Sequence, residues 1–274
     1  MIEVFKLLGL RIIPSNQWTL AKKGSKQVGV VGIEDKREIT GVLAVNMAGE
    51  LLPPQIIYSG TTERCLPSFK FPDAWHITCS QNHWSTESTM LAYIDKVIKP
   101  YINSVSPDGK TALCLFDTFA AHKTESVKAK LESLNIKHVF IPPGCTGELQ
   151  PLDLTVNDYF KKCLRKKFND WYSEEVEREL RDGLNPRKSK ANFQLSVMKP
   201  IHAQWIVEAF NDTNEKRDMI IAGFGKAGII SSYVDVEDLE FEYSTDEEDE
   251  VWLVEGGPQQ SPEVDGYSCR YPLV

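Results

Sequence analysis

Two aspartates give this sequence its clearest chemical signal. Asp117 closes the apolar run TALCLFD, and Asp153 stands 36 positions later, just past the Pro- and Gly-rich stretch PPGCTGELQP. A run as short and apolar as TALCLFD suits a strand buried on both faces. The helical pattern KTESVKAKLESLN and a second apolar run, IKHVFI, follow it. Together they form a βαβ unit, whose right-handed crossover lays the two strands parallel. Asp117 leaves the first strand, and the loop before Asp153 leaves the second, at the carboxyl edge where open α/β sheets gather their sites. Two carboxylates meeting there offer hard oxygen ligands to Mg²⁺ or Mn²⁺, with positions left for water and phosphate. Two-metal phosphoryl chemistry holds its ions about 3.5–4 Å apart and normally needs a third carboxylate. The plainer alternative is that Asp117 ends a strand and Asp153 caps a helix, both common places for aspartate.

The elements that must position this pair can be read on either side of it. Residues 27–33 (QVGVVGI), 39–46 (ITGVLAVN) and the run LLPPQIIYS are β-rich and separated by the turns EDKRE and MAGE, which predicts an antiparallel meander. After a polar segment from Gly60 to Trp84, the stretch STESTMLAYIDKVIKPYINSV has apolar residues at helical spacing, with Ser85 as candidate cap and a helix over 86–104. The stretch PPGCTGELQP reads as a loop, and a long helix follows from LDLTVNDYF onward. Residues 186–226 read as helical again. The fold class is therefore α/β, a sheet flanked by helices with a helical C-terminal part. Trp171, Tyr172, Trp205 and Phe210 fall at helical spacing and are expected in the core rather than as base-stacking platforms.

Charge and composition bound the partners. The chain of 274 residues, 42% hydrophobic, is long enough to bury a full core. From Asp235 to Val274 there are thirteen acidic residues and one basic residue, a net of −12 against −8 for the whole chain, which leaves +4 for residues 1–234. The sequence thus divides into a mildly basic body, residues 1–230, and an acidic tail, 231–274, with too few clustered apolar residues to offset the entropy of ordering it. Such a tail could compete with nucleic acid for a basic surface or attract basic partners. No run approaches the roughly 20 apolar residues of a membrane span, and the start MIEVFKLLGL lacks a signal peptide's basic flank, so a soluble intracellular protein is expected. Six cysteines without paired spacing read as reduced packing residues.

The phrases CLFDTFAAH and IPPGCTGELQPLDLTVNDYFK resemble the second and third acidic motifs of the DDE superfamily endonucleases, in the pogo, Tigger and Jerky branch of the mariner-like transposases. KKGSKQVGVVGIEDKREITGVLAVNMAGELLPPQIIYSGTTE and KPIHAQWIVEAFNDT are similar to the same family, so the likeness runs from about Leu10 to Ile230. The resemblance implies an RNase H-like mixed sheet, a divalent metal (Mg²⁺ or Mn²⁺, if any is bound), DNA as partner, a nuclear location, and Asp117 and Asp153 as metal-binding catalytic acids. It also implies a first acid in a strand phrase Asn-x-Asp-x-Thr-Gly-Leu. Setting Gly9-Leu10 on that phrase puts Lys6 in the aspartate's place. Glu3 has the wrong strand parity to replace it, and Glu34 and Asp35 fall in a distant turn. Lys6 is expected to lie between Asp117 and Asp153 and to neutralise them. The alternative is that residues 1–8 are unrelated to the family and Lys6 faces solvent.

Other candidates surround the pair. Lys161, Lys162, Arg165 and Lys166, with Lys167, form a basic cluster on the helix after Asp153, suited to sequence-independent phosphate contacts or simply to a solvated face. His122 is in reach of Asp117, and Asp158 is placed to support Asp153. The family's helix-turn-helix domains have no counterpart here, so recognition of a specific transposon end is not expected. Three readings follow: a DNA-binding domain that has lost strand cleavage, an active metal-dependent endonuclease completed by an acid elsewhere, and a protein-interaction scaffold.

Overall fold

The computed structural model describes residues 2–14, 18–20, 36–108, 110–183, 191–229 and 270–272. In chain order the described strands are β1 (Ile2–Arg11), β2 (Trp18–Leu20), β3 (Glu38–Asn46), β4 (Gln55–Ser59), β5 (His76–Ser80), β6 (Ala112–Phe116), β7 (Ile136–Phe140) and β8 (Arg270–Pro272). Six of them form one sheet in the order β5-β4-β3-β1-β6-β7. Its β1–β3 and β3–β4 pairs are antiparallel, and its β1–β6, β6–β7 and β4–β5 pairs are parallel. The sheet is therefore mixed, with β1 at its centre and β6, α3 (Glu125–Ser133) and β7 making the expected βαβ unit.

The chain divides into two units. Residues 1–14 and 35–239 make the unit that holds the sheet, and residues 15–34 with 240–274 make the other. In the second, the described part is an antiparallel ladder of β2 on β8, so Arg270–Pro272 pairs although the composition of the tail predicts no fixed structure. The remainder of that tail, and the expected strand 27–33, lie outside the described residues.

Helices cover the sheet because its strands are apolar on both faces. On one face α1 (Glu87–Tyr93) runs through a π-helical turn, Ile94–Ile98, into α2 (Lys99–Val105). Tyr93, Ile94, Val97 and Ile98 from this rod and Val127 and Leu131 from α3 join Phe5, Val42, Ala44, Cys114 and Phe116 in one core. Phe5 of β1 stacks on Phe116 of β6 with ring centroids 4.8 Å apart, a pairing worth about 0.5–1.5 kcal/mol beyond its burial. The cap of α1 is Thr86, whose hydroxyl accepts from Thr89 N at 3.3 Å; the expected cap, Ser85, is instead buried. Thr89 reciprocates by accepting from Thr86 N at 2.9 Å, so two backbone donors that a helix start leaves orphaned are both satisfied.

The stretch expected to be an unbroken loop contains a one-turn helix, α4 (Thr146–Leu149). A π-helical turn, Leu152–Val156, then leads into α5 (Asn157–Arg181). The C-terminal helical region is α6 (Leu195–Asn214) and α7 (Arg217–Lys226), preceded by non-helical residues 191–194; residues 184–190 lie outside the described residues. No helix among the described residues is long and apolar enough to cross a membrane.

One glycine sets how closely the last helix approaches the Asp153 turn. A Cβ on Gly223 of α7 would lie 2.7 Å from Thr155 Oγ1 and 2.8 Å from Pro151 O, and the latter is backbone that cannot rotate away. Gly223→Ala should therefore push α7 off the turn and lower stability by about 1–3 kcal/mol. Urea denaturation measures this, and an unchanged midpoint would show that α7 does not pin the turn.

Candidate functional site

Strand register decides which side chains meet at the carboxyl edge. β1 and β6 are parallel, with Phe5 opposite Phe116, so the next residues of each chain, Lys6 and Asp117, emerge side by side on the same face. Asp153 reaches this edge from the π-helical turn that begins at Leu152, a geometry that recurs at functional sites because the extra residue re-aims side chains. The Lys6 ammonium lies 3.0 Å from Asp153 Oδ2 and 3.7 Å from Asp117 Oδ2. It also donates to Gln150 Oε1 at 3.2 Å. The structure thus brings Lys6, Asp117 and Asp153 together.

Three further groups hold this arrangement in place. Gln150 is fully buried, and its amide donates to Phe5 O at 3.0 Å, clamping the Asp153 loop to β1 one residue before Lys6. Asn157 Nδ2 donates to Asp153 Oδ1 at 2.6 Å, one turn along the helix. Phe119 N donates to Asp117 Oδ1 at 3.3 Å. Sequence reasoning missed all three. Asn157 was discoverable from its i+4 spacing to Asp153, and Gln150 only from its presence within TGELQPLD.

His122 is fully buried, and its Nδ1 lies 2.8 Å from Asp117 Oδ1 without meeting hydrogen-bond geometry. Burial alone raises the Asp117 carboxyl pKa. The His122 contact and charge, the Lys6 charge and the Phe119 N–H together outweigh it, and the carboxyl sits below its ordinary range. Asp117 is therefore an anion at neutral pH, held by one cation, one ring and one backbone donor.

Other expected residues fall elsewhere. Asp158, expected to support Asp153, instead projects outward with its side chain 75% exposed and lies 3.8 Å from Arg165 Nη2; Asn157 occupies the supporting role. Lys161, Lys162, Arg165 and Lys166 lie on α5, the first of them eight residues and so about 12 Å along the helix from Asp153. Lys167 leaves this group, because its ammonium bridges Glu208 at 3.1 Å and Asp212 at 3.2 Å on α6. Glu3 is buried near Cys114, whose thiol donates to its carboxylate at 3.5 Å. Burial raises the Glu3 pKa despite the thiol and the chain's N-terminal charge, and three strand residues, about 10 Å, separate it from Lys6. Glu34 and Asp35 lie outside the described residues. Trp171, Trp205 and Phe168 pack ring on ring between α5 and α6, and Tyr172 stacks on Phe168, as core aromatics do. Phe210 packs edge-on against Trp75.

The donor set does not suit a pair of divalent ions. Two carboxylates converge, but the space between them is spanned by an ammonium, and among the described residues no three His, Cys, Asp or Glu side chains are grouped to hold a metal. The ammonium supplies the positive charge that a metal ion would bring and offers no open coordination position.

This geometry predicts how stability responds to pH. Asp117 has a depressed pKa in the fold, so its contribution is present above the unfolded value near 3.9 and lost as pH falls through the lower folded value. Lys6→Met leaves two carboxylates facing each other without their cation. It should cost about 1–3 kcal/mol at pH 7, and the deficit should shrink below about pH 4 as Asp117 protonates. Denaturation midpoints of both proteins across pH 3–7, in chelating buffer, measure this; a deficit independent of pH would mean that Lys6 acts through packing alone.

Residues 36–224 match the family model described as DDE superfamily endonuclease. The mouse protein described as "Pogo transposable element with KRAB domain" is 30% identical over 233 residues, covering 85% of this chain and 34% of the relative. Its human namesake is 29% identical over 229 residues, covering 83% and 35%. The chain spans about a third of the length of these relatives. Among solved structures, the Mos1 transposase paired-end complex with left transposon end aligns with a TM-score of 0.42 at 10% identity, over 82% of this chain and 55% of that one. The match to the family model starts after β1, so Lys6 is placed at the site by sheet register and contacts rather than by that match.

Proposed function

The chain belongs to the DDE superfamily endonuclease family, and from that premise we propose that this transposase-derived domain binds DNA without cutting it. The observation that carries the reading is the Lys6 ammonium, 3.0 Å from Asp153 and 3.7 Å from Asp117. Phosphoryl transfer by paired divalent ions needs anionic ligands to concentrate positive charge beside the scissile phosphate. Here one ligand position holds a fixed cation. It repels an incoming metal ion, and a tethered ammonium neither activates water as a metal does nor bridges attacking and leaving oxygens. Cleavage fails for want of metal, while the fold and its charged surfaces persist.

Binding is assigned to Lys161, Lys162, Arg165 and Lys166 of α5, which begin about 12 Å along the helix from Asp153. These side chains would contact phosphates whatever the sequence, since phosphate contacts fix position and carry no base information. The Mos1 complex with a transposon end supports DNA as the partner class only by analogy. A nuclear location belongs to the same proposal, because that is where such a ligand is met.

Two assays test it together. Plasmid incubated with the protein in Mg²⁺ or Mn²⁺ should remain un-nicked, while duplex DNA should be retained at low salt and released as salt rises. Reversing Lys162, Arg165 and Lys166 to Glu should weaken retention at least tenfold and reduce the salt slope by about 3, near one for each phosphate no longer neutralised. Nicking that Asp117→Ala abolishes would make the domain an active endonuclease. Absence of salt-dependent retention would leave a protein-interaction scaffold.

A further inference from the structure

Trp84 stands out among the described residues as an aromatic side chain left 55% exposed. A large apolar surface of that kind calls for a reason, because folding normally buries it. The ring is not loose. His83, just before it, has φ of +55°, a left-handed conformation that non-glycine residues adopt only at a cost. That conformation is held by His83 N donating to Ser80 O at 3.1 Å and by a 3.2 Å contact between the His83 ring and the Thr40 hydroxyl. Ser80 Oγ donates to Trp84 O at 2.7 Å and fixes the next peptide as well. Strain held in place by specific bonds, with an exposed ring as its product, is a pattern of binding sites.

The ring also lies in a column. Trp84 is nearly parallel to Phe119, at 9° with centroids 6.1 Å apart, and lies at 24° to His83, at 5.4 Å. Phe119 is the residue whose backbone N–H bonds Asp117, and its ring meets His122 edge-on at 6.0 Å. The rings therefore run from the Asp117 support through Phe119 to Trp84, which His83 also flanks. More than half of the indole is nonetheless exposed, beside the residue that supports Asp117.

We infer that Trp84 is a stacking platform for an unpaired nucleobase of DNA lying across the Lys6–Asp117–Asp153 edge. The inference rests on the DNA-binding reading above and sharpens it to a strand feature. Bases inside a duplex have both faces covered by their neighbours, so only an unpaired or extruded base can lay a face on the indole. Stacking of this kind tolerates any base, in keeping with the phosphate contacts assigned to α5. The platform thus gives the chain a preference for structure, a junction or overhang, with no preference for sequence.

The test measures binding of three labelled DNAs by fluorescence anisotropy: a blunt duplex, the same duplex with a short single-stranded overhang, and that overhang with abasic sites. The wild-type chain should bind the overhang DNA about tenfold more tightly than the other two. Trp84→Ala should erase that difference and leave blunt-duplex affinity unchanged, while Trp84→Phe, which keeps a flat ring, should restore most of it. Thermal melts of the variants establish that they are folded. Equal affinity of wild type for all three DNAs, or the same weakening by Trp84→Ala on the blunt duplex, would overturn the platform and leave DNA binding intact. Failure of the wild type to bind any of the three would bring down the DNA-binding reading itself, and the platform with it.

Discussion

An ammonium set between two carboxylates is the interaction on which this end of the molecule depends. Lys6 satisfies Asp117 and Asp153 together and adds Gln150 as a third acceptor. Either carboxylate alone would be tolerable at a partly open edge. Both together, without a cation, would repel each other across a few ångströms in a medium less polar than water. Something positive has to stand there. The arrangement does not make the fold more stable than an apolar edge would be, since desolvating an ion pair consumes most of what its attraction gives. What it does is fix relative position: β1, β6 and the turn at Leu152–Val156 are joined through one side chain, and Gln150 repeats the link through the backbone of Phe5.

Much of this is legible in the sequence, for reasons that differ residue by residue. Asp117 and Asp153 can be brought to one edge because a βαβ unit has a fixed hand and parallel strands open their loops on the same side. The resemblance to an acidic strand phrase points to Lys6, and the register of Phe5 against Phe116 is what places it beside Asp117. Asp158 departs from its expected place because five helical residues carry it past a full turn, to about 140° around the axis from Asp153, whereas Asn157 at four residues is one turn on. Asn157 therefore bonds Asp153 while Asp158 projects outward. Gln150 and the one-turn helix before it have no local signal. Proline and glycine in PPGCTGELQP read as a loop, and a buried glutamine announces itself only through the strand it clamps. Trp84 lies in a polar, irregular segment, where exposure is a property of the tertiary fold alone.

On the proposed reading, a tethered cation stands where the family's metal ion would, a chemically narrow change with a wide consequence. A metal ion brings charge, open coordination positions and a lowered pKa for bound water. Lysine brings charge alone. The sheet edge, the basic residues of α5 and the aromatic column do not depend on that difference, so the proposed nucleic-acid surfaces would outlast the chemistry. The proposed function accordingly rests on the surfaces around the site rather than on its acids, since a fold shared with a family fixes architecture and leaves activity to the groups at the site.

Whether Lys6 excludes divalent metal decides between a silent site and a working one, and Mn²⁺ titration followed by calorimetry or by electron paramagnetic resonance reads that directly. The wild-type chain should show no Mn²⁺ binding at micromolar concentrations, and Lys6→Asp, which restores a third carboxylate at the same register position, should acquire it. Tight Mn²⁺ binding by the wild type, abolished by Asp117→Ala, would contradict the metal-free reading at its centre.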